Sequence, residues 1–537
     1  MQVSCTALLN YYLANKLKLT GIYMVIKYKA FENLYQDSVS LMQISARLNK
    51  IVGVDEASVV MGTEANLSRM ADAGFGDNIV AKPNDLVIAV KGEEEACNTA
   101  IEQAQQALTA KPDEGSGGAS FSPPLTSFAL GLEQHADANL ALISVPGEYA
   151  AAEAIKALNL GLNVMMFSDN VSLADELQIK QLAQKKALMV MGPDCGTAII
   201  NGIPLGFANV VRRGAIGVVA ASGTGLQEAT CRIHQLGGGV SQAMGTGGHD
   251  LHQDIGGISM LQGLLALAED DATKVIVLIS KPPAAAIAER ILATAAQVDK
   301  PVVVHFLGQA DSQATATGVY FAHSLAHSAE VAVAVLRNQA LPNAQFILSA
   351  QVQEQVTTLK TQLTPTQRYI RGVFAGGTFC FEAQIIASQY GLSAFSNTPI
   401  QGNHCLEDVW TSQQHTIVDL GDDDFTQGRP HPMIDPSLRN QRMLQDARDA
   451  STAVILFDVV LGYGASEEPL AELLDTLDQI RNEQVSMPAL IAHVCGTDLD
   501  PQARDVIRQA LEDAGVIIAD SNADAAHLAA YFVSQLG

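Results

Sequence analysis

Residues able to do chemistry gather at glycine-rich turns between apolar runs. The sharpest is AIGVVAASGTGLQEATCRIHQLG, residues 215–237, where an apolar run enters Ser222-Gly223-Thr224-Gly225 and then a helical pattern with Glu228 in its first turns. Free amides and the helix macrodipole favour an anion at such a place, and the Ser222 and Thr224 hydroxyls add donors for a phosphate or carboxylate. An ordinary strand-to-helix turn, capped by Ser222 or Thr224, explains the same residues more plainly. AGGTFCFEA (375–383) repeats the signature, and VILFDVVLGYGASEEPLAELL sets Gly462, Gly464, Ala465 and Ser466 between an apolar run and an acidic helix start. Two such turns in facing domains would hold an anion between helix N-termini.

Other constellations carry weaker signals. GTGGHDLHQDIGG (245–257) offers His249, Asp250, His252 and Asp254, a donor set for Zn or Fe, but its spacing matches no standard ligand motif. Solvated loop side chains are the preferred reading, and no metal is expected. GRPHPMIDP (428–436) offers Arg429, His431 and Asp435; Arg429, with His431, is a candidate clamp for a substrate carboxylate, against a rigid Pro-bounded loop with a surface charge. Cys195, in GPDCGTAIINGIPLGFAN, has no cationic or histidine neighbour in sequence to lower its pKa, so a packing thiol is expected. His323 and His327 stand four apart, which suits two solvent-side histidines on one helix face.

The elements that position these residues alternate. The chain has 537 residues, hence three or four domains at roughly 100–200 residues each. Forty-eight per cent of residues are apolar, only 5% are aromatic and 43 are glycine, which favours parallel α/β sheets over all-β sandwiches. The spacing predicts a small α+β domain over residues 24–108, with a helix at Ser38–Asn49, then a Gly/Ser/Pro linker at 109–124. Strands and helices alternate from Leu140, including a helix over Leu173–Lys185, as in βαβ units. Domains are expected at 125–210, 211–340 and 366–537. The last two repeat each other: AASGTGLQEA (220–229) matches FAGGTFCFEA (374–383), KVIVLIS (274–280) matches AVILFDV (453–459), and PVVVHFLG (301–308) matches PALIAHVCG (488–496). Two copies this far apart are paired domains, not a solenoid.

Net charge is −25, from 57 acidic and 32 basic residues, which disfavours nucleic-acid binding. Seven scattered cysteines without a C-x-x-C pair point to a reducing compartment. No apolar run approaches the ~18–20 residues of a membrane span, and residues 1–23 lack a secretory signal, reading as an over-called start or loose extension. A cytoplasmic protein is expected, bound to no membrane.

The ordered series VPGEYAAAEAIKAL, VMGPDCGTAIINGIPLGFAN, AIGVVAASGTGLQEA and MGTGGHDL resembles the α subunit of succinyl-CoA synthetase and related CoA ligases. With Ser168–Ser172, SKPPA (280–284) and GRPHPMIDP, it is most similar to the FdrA-type acyl-CoA synthetase branch, over roughly residues 24–537. The last third resembles the ligase domain carried on the β subunit, without an ATP-grasp module. The resemblance implies an α/β protein: a Rossmann-like CoA-binding-type domain and two flavodoxin-like ligase domains, behind the small α+β domain. It implies an enzyme that transfers acyl groups through a phosphate or acyl-phosphate intermediate, with Ser222–Gly225 and Gly462–Ser466 as phosphate cradles, CoA as cofactor, separate partner subunits and a homo-oligomer. This sequence departs from the pattern: no G-H-A-G follows the strand at 302–308, no glycine-rich CoA turn precedes Leu140, and Lys281 stands where the family carries glutamate. FdrA-like proteins are also connected with oxamate carbamoyltransfer in purine degradation, which needs phosphate or carbamoyl phosphate and a carboxylate clamp but neither phosphohistidine nor CoA. A non-catalytic regulatory subunit is the third reading.

Overall fold

A computed structural model describes residues 24–76, 78–109, 125–309, 318–427, 429–483 and 487–536. The loose-extension reading of residues 1–23 and all but the first residue of the linker lie outside them. The described chain forms two compact units, one up to residue 109 with 426, 427, 429 and 430, the other over 125–425 and 431–536.

In the first unit, β1 (Met24–Phe31), β2 (Val54–Met61) and β3 (Leu86–Glu93) make an antiparallel sheet in the order β1-β3-β2. The central strand is the apolar run Leu86–Val90, wholly buried. The helix Ser38–Asn49 starts where Asp37 accepts the Ser40 N–H at 3.0 Å, and it buries Leu41, Ile44 and Leu48, spaced for one face.

The second unit contains three sheets. β4 (Leu140–Ile143), β5 (Asn163–Met166) and β6 (Val190–Met191) are parallel, joined by helices Gly147–Asn159 and Leu173–Lys185. A hairpin follows, β7 (Thr197–Ile200) and β8 (Ile203–Gly206), which the sequence places with this Rossmann-like layer. It pairs instead with the next sheet, through β7 antiparallel to β10. The boundary at residue 210 therefore cuts that sheet.

That sheet is built from β9 (Arg213–Ala221), β10 (Val240–Gly245), β11 (Val275–Ser280), β12 (Val302–Phe306) and β13 (Val319–Phe321), in the order β13-β12-β11-β9-β10-β7-β8. The last sheet holds β14 (Tyr369–Phe374), β15 (Phe395–Ser396), β16 (His404–Cys405), β17 (Thr416–Asp419), β18 (Thr452–Val460), β19 (Ala489–Cys495) and β20 (Ile517–Ala519), in the order β16-β15-β17-β14-β18-β19-β20. With β7–β8 and the two-residue strands β15 and β16 at the sheet edges set aside, both copies give the order 2-1-3-4-5 of the flavodoxin-like fold, so the fold is α/β with two flavodoxin-like sheets. Helices cover both faces, and β18 is buried along its whole length, as parallel central strands are. Strand order reverses between β9 and β11 in one copy, and between β14 and β18 in the other. Ligands of open α/β sheets sit outside the carboxyl ends of the strands at this reversal.

Candidate functional site

The two reversal points meet. β9 ends at Ala221, and Ser222 caps the helix Gly223–Gln235 by accepting the Gly225 N–H at 2.9 Å. β14 ends at Phe374 and turns through Ala375-Gly376 into the helix Gly377–Gln389, which has no side-chain cap from Gly376. Ser222 Oγ and Thr378 Oγ1 lie 2.7 Å apart, so the N-termini of one helix from each copy touch. Their positive ends converge on one place. Close approach demands glycine at Gly377, where a Cβ would overlap the Asp419 carboxylate. At Gly223 a Cβ would have only Thr197 Oγ1 near it, at 3.6 Å.

Acidic groups and one lysine surround this junction. Asp458, on β18, accepts the Ala375 and Gly376 N–H groups at 2.8 Å each and so fixes the second turn from behind. Asp419 ends β17, and its Oδ1 accepts the Gly421 N–H at 2.9 Å. Burial pushes the Asp419 carboxyl up to about 7, opposed by Lys281 and the Gly421 N–H. Desolvation and the Asp169 carboxylate push Asp194, whose residue is otherwise exposed, up to about 6, opposed by His249 and Lys281. Lys281 follows β11 directly, and Ser280 is in register with Ala221, so the lysine leaves its sheet beside Ser222. Its ammonium lies 5.8 Å from the centre of the Phe381 ring and makes no hydrogen bond or ion pair with the described residues. A cation that lowers two carboxyls of raised pKa, and that leaves its strand beside the Ser222 turn, can hold an anion there.

Several expected residues are placed elsewhere or otherwise occupied. In the Gly462–Ser466 turn, Gly462 N–H donates to Gln502 Oε1 at 3.1 Å, Tyr463 N–H to Ala208 O at 2.9 Å, and Ser466 N–H to Met433 O at 2.8 Å. The following helix begins only at Ala471, so no macrodipole stands behind Gly464 and Ala465. The partner of the Ser222 turn is instead Gly376-Gly377-Thr378. Arg429 is engaged within the first unit, its Nε 3.2 Å from Glu56 Oε1. His431 is half-buried, and desolvation pulls its pKa down to about 4, so it is neutral near pH 7 and suits a carboxylate clamp poorly. Its Nδ1 accepts the Met433 N–H at 3.2 Å, while Nε2 faces Gly421, two residues beyond Asp419.

The histidine-rich loop is held structurally. Asp250 is buried, lies 2.8 Å from Lys180 Nζ, and accepts the Ser259 and Met260 N–H groups at the start of the helix Ile258–Glu269. His249 Nδ1 faces Glu176 at 3.6 Å. Cys195 is a buried thiol pushed up to about 12 by burial, a packing residue. His327 corrects the solvent-side reading: it is buried, and its Nδ1 accepts the His323 N–H at 3.2 Å. Sequence reasoning missed Thr378, Asp194, Asp419 and Asp458, single polar residues whose chemistry arises only from what surrounds them. It also missed a Glu228–His493–Cys495 cluster assembled across the two copies.

Residues 373–532 match the CoA-ligase family, and residues 24–123 match the family described as AllF, heavy metal-associated domain. The succinate–CoA ligase [ADP-forming] subunit alpha of Staphylococcus aureus (strain Mu50) is 30% identical over 178 residues, 32% of this chain and 57% of that protein. The chain thus spans little more than half the length of that subunit. Among solved structures, PH0766 from Pyrococcus horikoshii OT3 gives a TM-score of 0.31 at 14% identity, covering 74% of this chain and 84% of the other. YahF of Escherichia coli (strain K12) is 42% identical over 518 residues, 95% of this chain and 99% of YahF. A likeness running through both units and all four sheets places the chain in the YahF family, with a CoA-ligase domain as its last part.

Proposed function

We propose that this protein transfers an acyl group through an acyl phosphate, as an FdrA-type, acyl-CoA synthetase-like subunit. The observation that carries the reading is the meeting of the Gly223 and Gly377 helix N-termini through Ser222 and Thr378, beside Lys281, which is unpaired among the described residues. Phosphate would lie against the Gly223 and Thr224 amides, with the Lys281 ammonium neutralising its charge. Asp419, with a pKa near 7, would exchange a proton with the reacting oxygen. Preorganised donors of this kind are worth about 2.7–4 kcal/mol each at a developing oxyanion.

CoA is the cofactor that the CoA-ligase match suggests. The first turn of the β4–β6 sheet does not fit it: a Cβ at Gly147 would overlap the carbonyl oxygens of Asp169 and Asn170, which crowd the helix start with negative ends. That misfit, with the missing G-H-A-G, favours a second reading as an oxamate carbamoyltransferase subunit. Phosphate oxygen would attack the carbamoyl carbon of oxalurate, the C–N bond would break, and the departing nitrogen would take a proton to give oxamate and carbamoyl phosphate. Separate partner subunits would complete either enzyme.

The test is to incubate the chain, alone and with the products of neighbouring genes, with carbamoyl phosphate plus oxamate, and separately with ATP, CoA and succinate. Oxalurate formation supports carbamoyltransfer, and succinyl-CoA formation supports the ligase. Phosphate binding without either product leaves a regulatory subunit and overturns catalysis.

A further inference from the structure

Away from the junction, the internal repeat supplies its own comparison. His305 on β12 and His493 on β19 hold equivalent positions, in register with Ile279 of β11 and Asp458 of β18. Each sets Nδ1 against a backbone carbonyl, Ala322 O at 2.9 Å and Ala519 O at 3.4 Å. Glu228 and Glu382 are equivalent in the shared A-x-G-T-x-x-x-E-A motif, and each reaches the other copy's last helix. Glu382 accepts the Leu325 N–H at 2.9 Å, and Glu228 accepts the Asn522 N–H at 3.3 Å. There the likeness ends. On one side of the interface His305 Nε2 is buried without a hydrogen-bond partner among the described residues, and Leu307 and Ile385 are its neighbours in the motif. On the other side the corresponding positions are Cys495 and Cys231.

Those thiols complete a donor set. Glu228 and Cys231 are three apart on one helix face, and His493 and Cys495 two apart on one strand face. His493 Nε2 lies 2.7 Å from Glu228 Oε2, and ligand atoms of Glu228, His493 and Cys495 all fall within 4.8 Å of one another. Cys495 holds the neighbouring Cys231 thiol down against the upward push of burial, and all four side chains are buried.

We infer that Glu228, Cys231, His493 and Cys495 bind a thiophilic divalent ion, with Zn2+ the best fit. Two thiolates, one imidazole and one carboxylate make a closed four-coordinate set with no open position, the mark of a structural site. His493 keeps Nδ1–H on the Ala519 carbonyl, the outer contact that fixes a ligating imidazole. Binding releases the two thiol protons and the proton that His493 Nε2 shares with Glu228, and leaves one net negative charge, which Arg232 and Arg504 are placed to offset. The ion would pin the helix behind the Ser222 turn to the other copy's sheet. This inference stands apart from the proposed function.

The test is elemental analysis of the purified full chain, followed by Co2+ loading of the metal-stripped protein. About one zinc per chain is expected, with a thiolate-to-cobalt charge-transfer band that Cys231→Ser and Cys495→Ser each abolish. Cys97→Ser, in the first unit, keeps both signals. Circular dichroism checks the folding of each variant, and the wild-type cobalt spectrum decides even if a variant misfolds. A chain without bound zinc whose cobalt spectrum lacks the thiolate band would overturn the inference, as would metal retained by a folded Cys231→Ser/Cys495→Ser double variant.

Discussion

Asp419→Asn should make the protein more stable at neutral and alkaline pH while removing its activity. Asp419 is 8% exposed, and burial raises its carboxyl to about 7 despite Lys281 and the Gly421 N–H. A carboxyl with a folded pKa above its unfolded value of roughly 3.9 contributes stability that is complete below that value and is lost as pH climbs through about 7. Integrated between pH 5 and pH 8, the loss is about 2.6 kcal/mol. Asparagine does not titrate, and it keeps an oxygen for the Gly421 N–H. The stability difference between variant and wild type should therefore grow by about 2.6 kcal/mol in the variant's favour over that range. Urea unfolding of the full chain at several pH values measures it. A difference that does not change with pH would mean that the carboxyl titrates normally, and would remove Asp419 as a proton donor. A protein that keeps such a group at a cost to stability is spending it on function.

Gly223→Val should abolish phosphate-dependent turnover with the circular dichroism spectrum unchanged, because the new side chain enters the anion's space with only Thr197 Oγ1 near its Cβ. Lys281→Met should raise KM for the anionic substrate roughly ten- to hundredfold, the value of one charge-assisted contact. It should also move the Asp419-dependent limb of the pH–rate profile upward, since the lysine holds that carboxyl down. Lys180→Met should cost about 3–5 kcal/mol in denaturant unfolding, because it strands Glu176 and Asp250, each 2.8 Å from Nζ and buried.

Local signals made much of the fold legible. The helices Ser38–Asn49 and Leu173–Lys185 begin where sequence places them because Asp37 and Ser172 are visible caps. The duplicated motif anticipates two sheets of one topology. The β7–β8 hairpin joins a different layer from the one local pattern suggests, because its partner strand β10 comes about forty residues later, after another strand and helix. At the site, Ser222–Gly225 is legible because a glycine-rich turn between strand and helix has a recurring form. The Gly462–Ser466 turn looks similar, but its amides are claimed by Gln502 and Met433, contacts no local pattern encodes. Asp419 is a single acid at the end of a short strand, and only burial beside Lys281 makes it reactive. His493 and Glu228 are 265 positions apart, so their contact awaits the docking of the copies.

Titration of the purified chain with inorganic phosphate, followed by 31P NMR and calorimetry, addresses the anion site without assuming any reaction. We expect saturable binding that weakens sharply in Gly223→Val and Lys281→Met and survives in Ser466→Ala. Absent binding, or binding indifferent to Gly223 and Lys281, would contradict a phosphate held where the two helices meet.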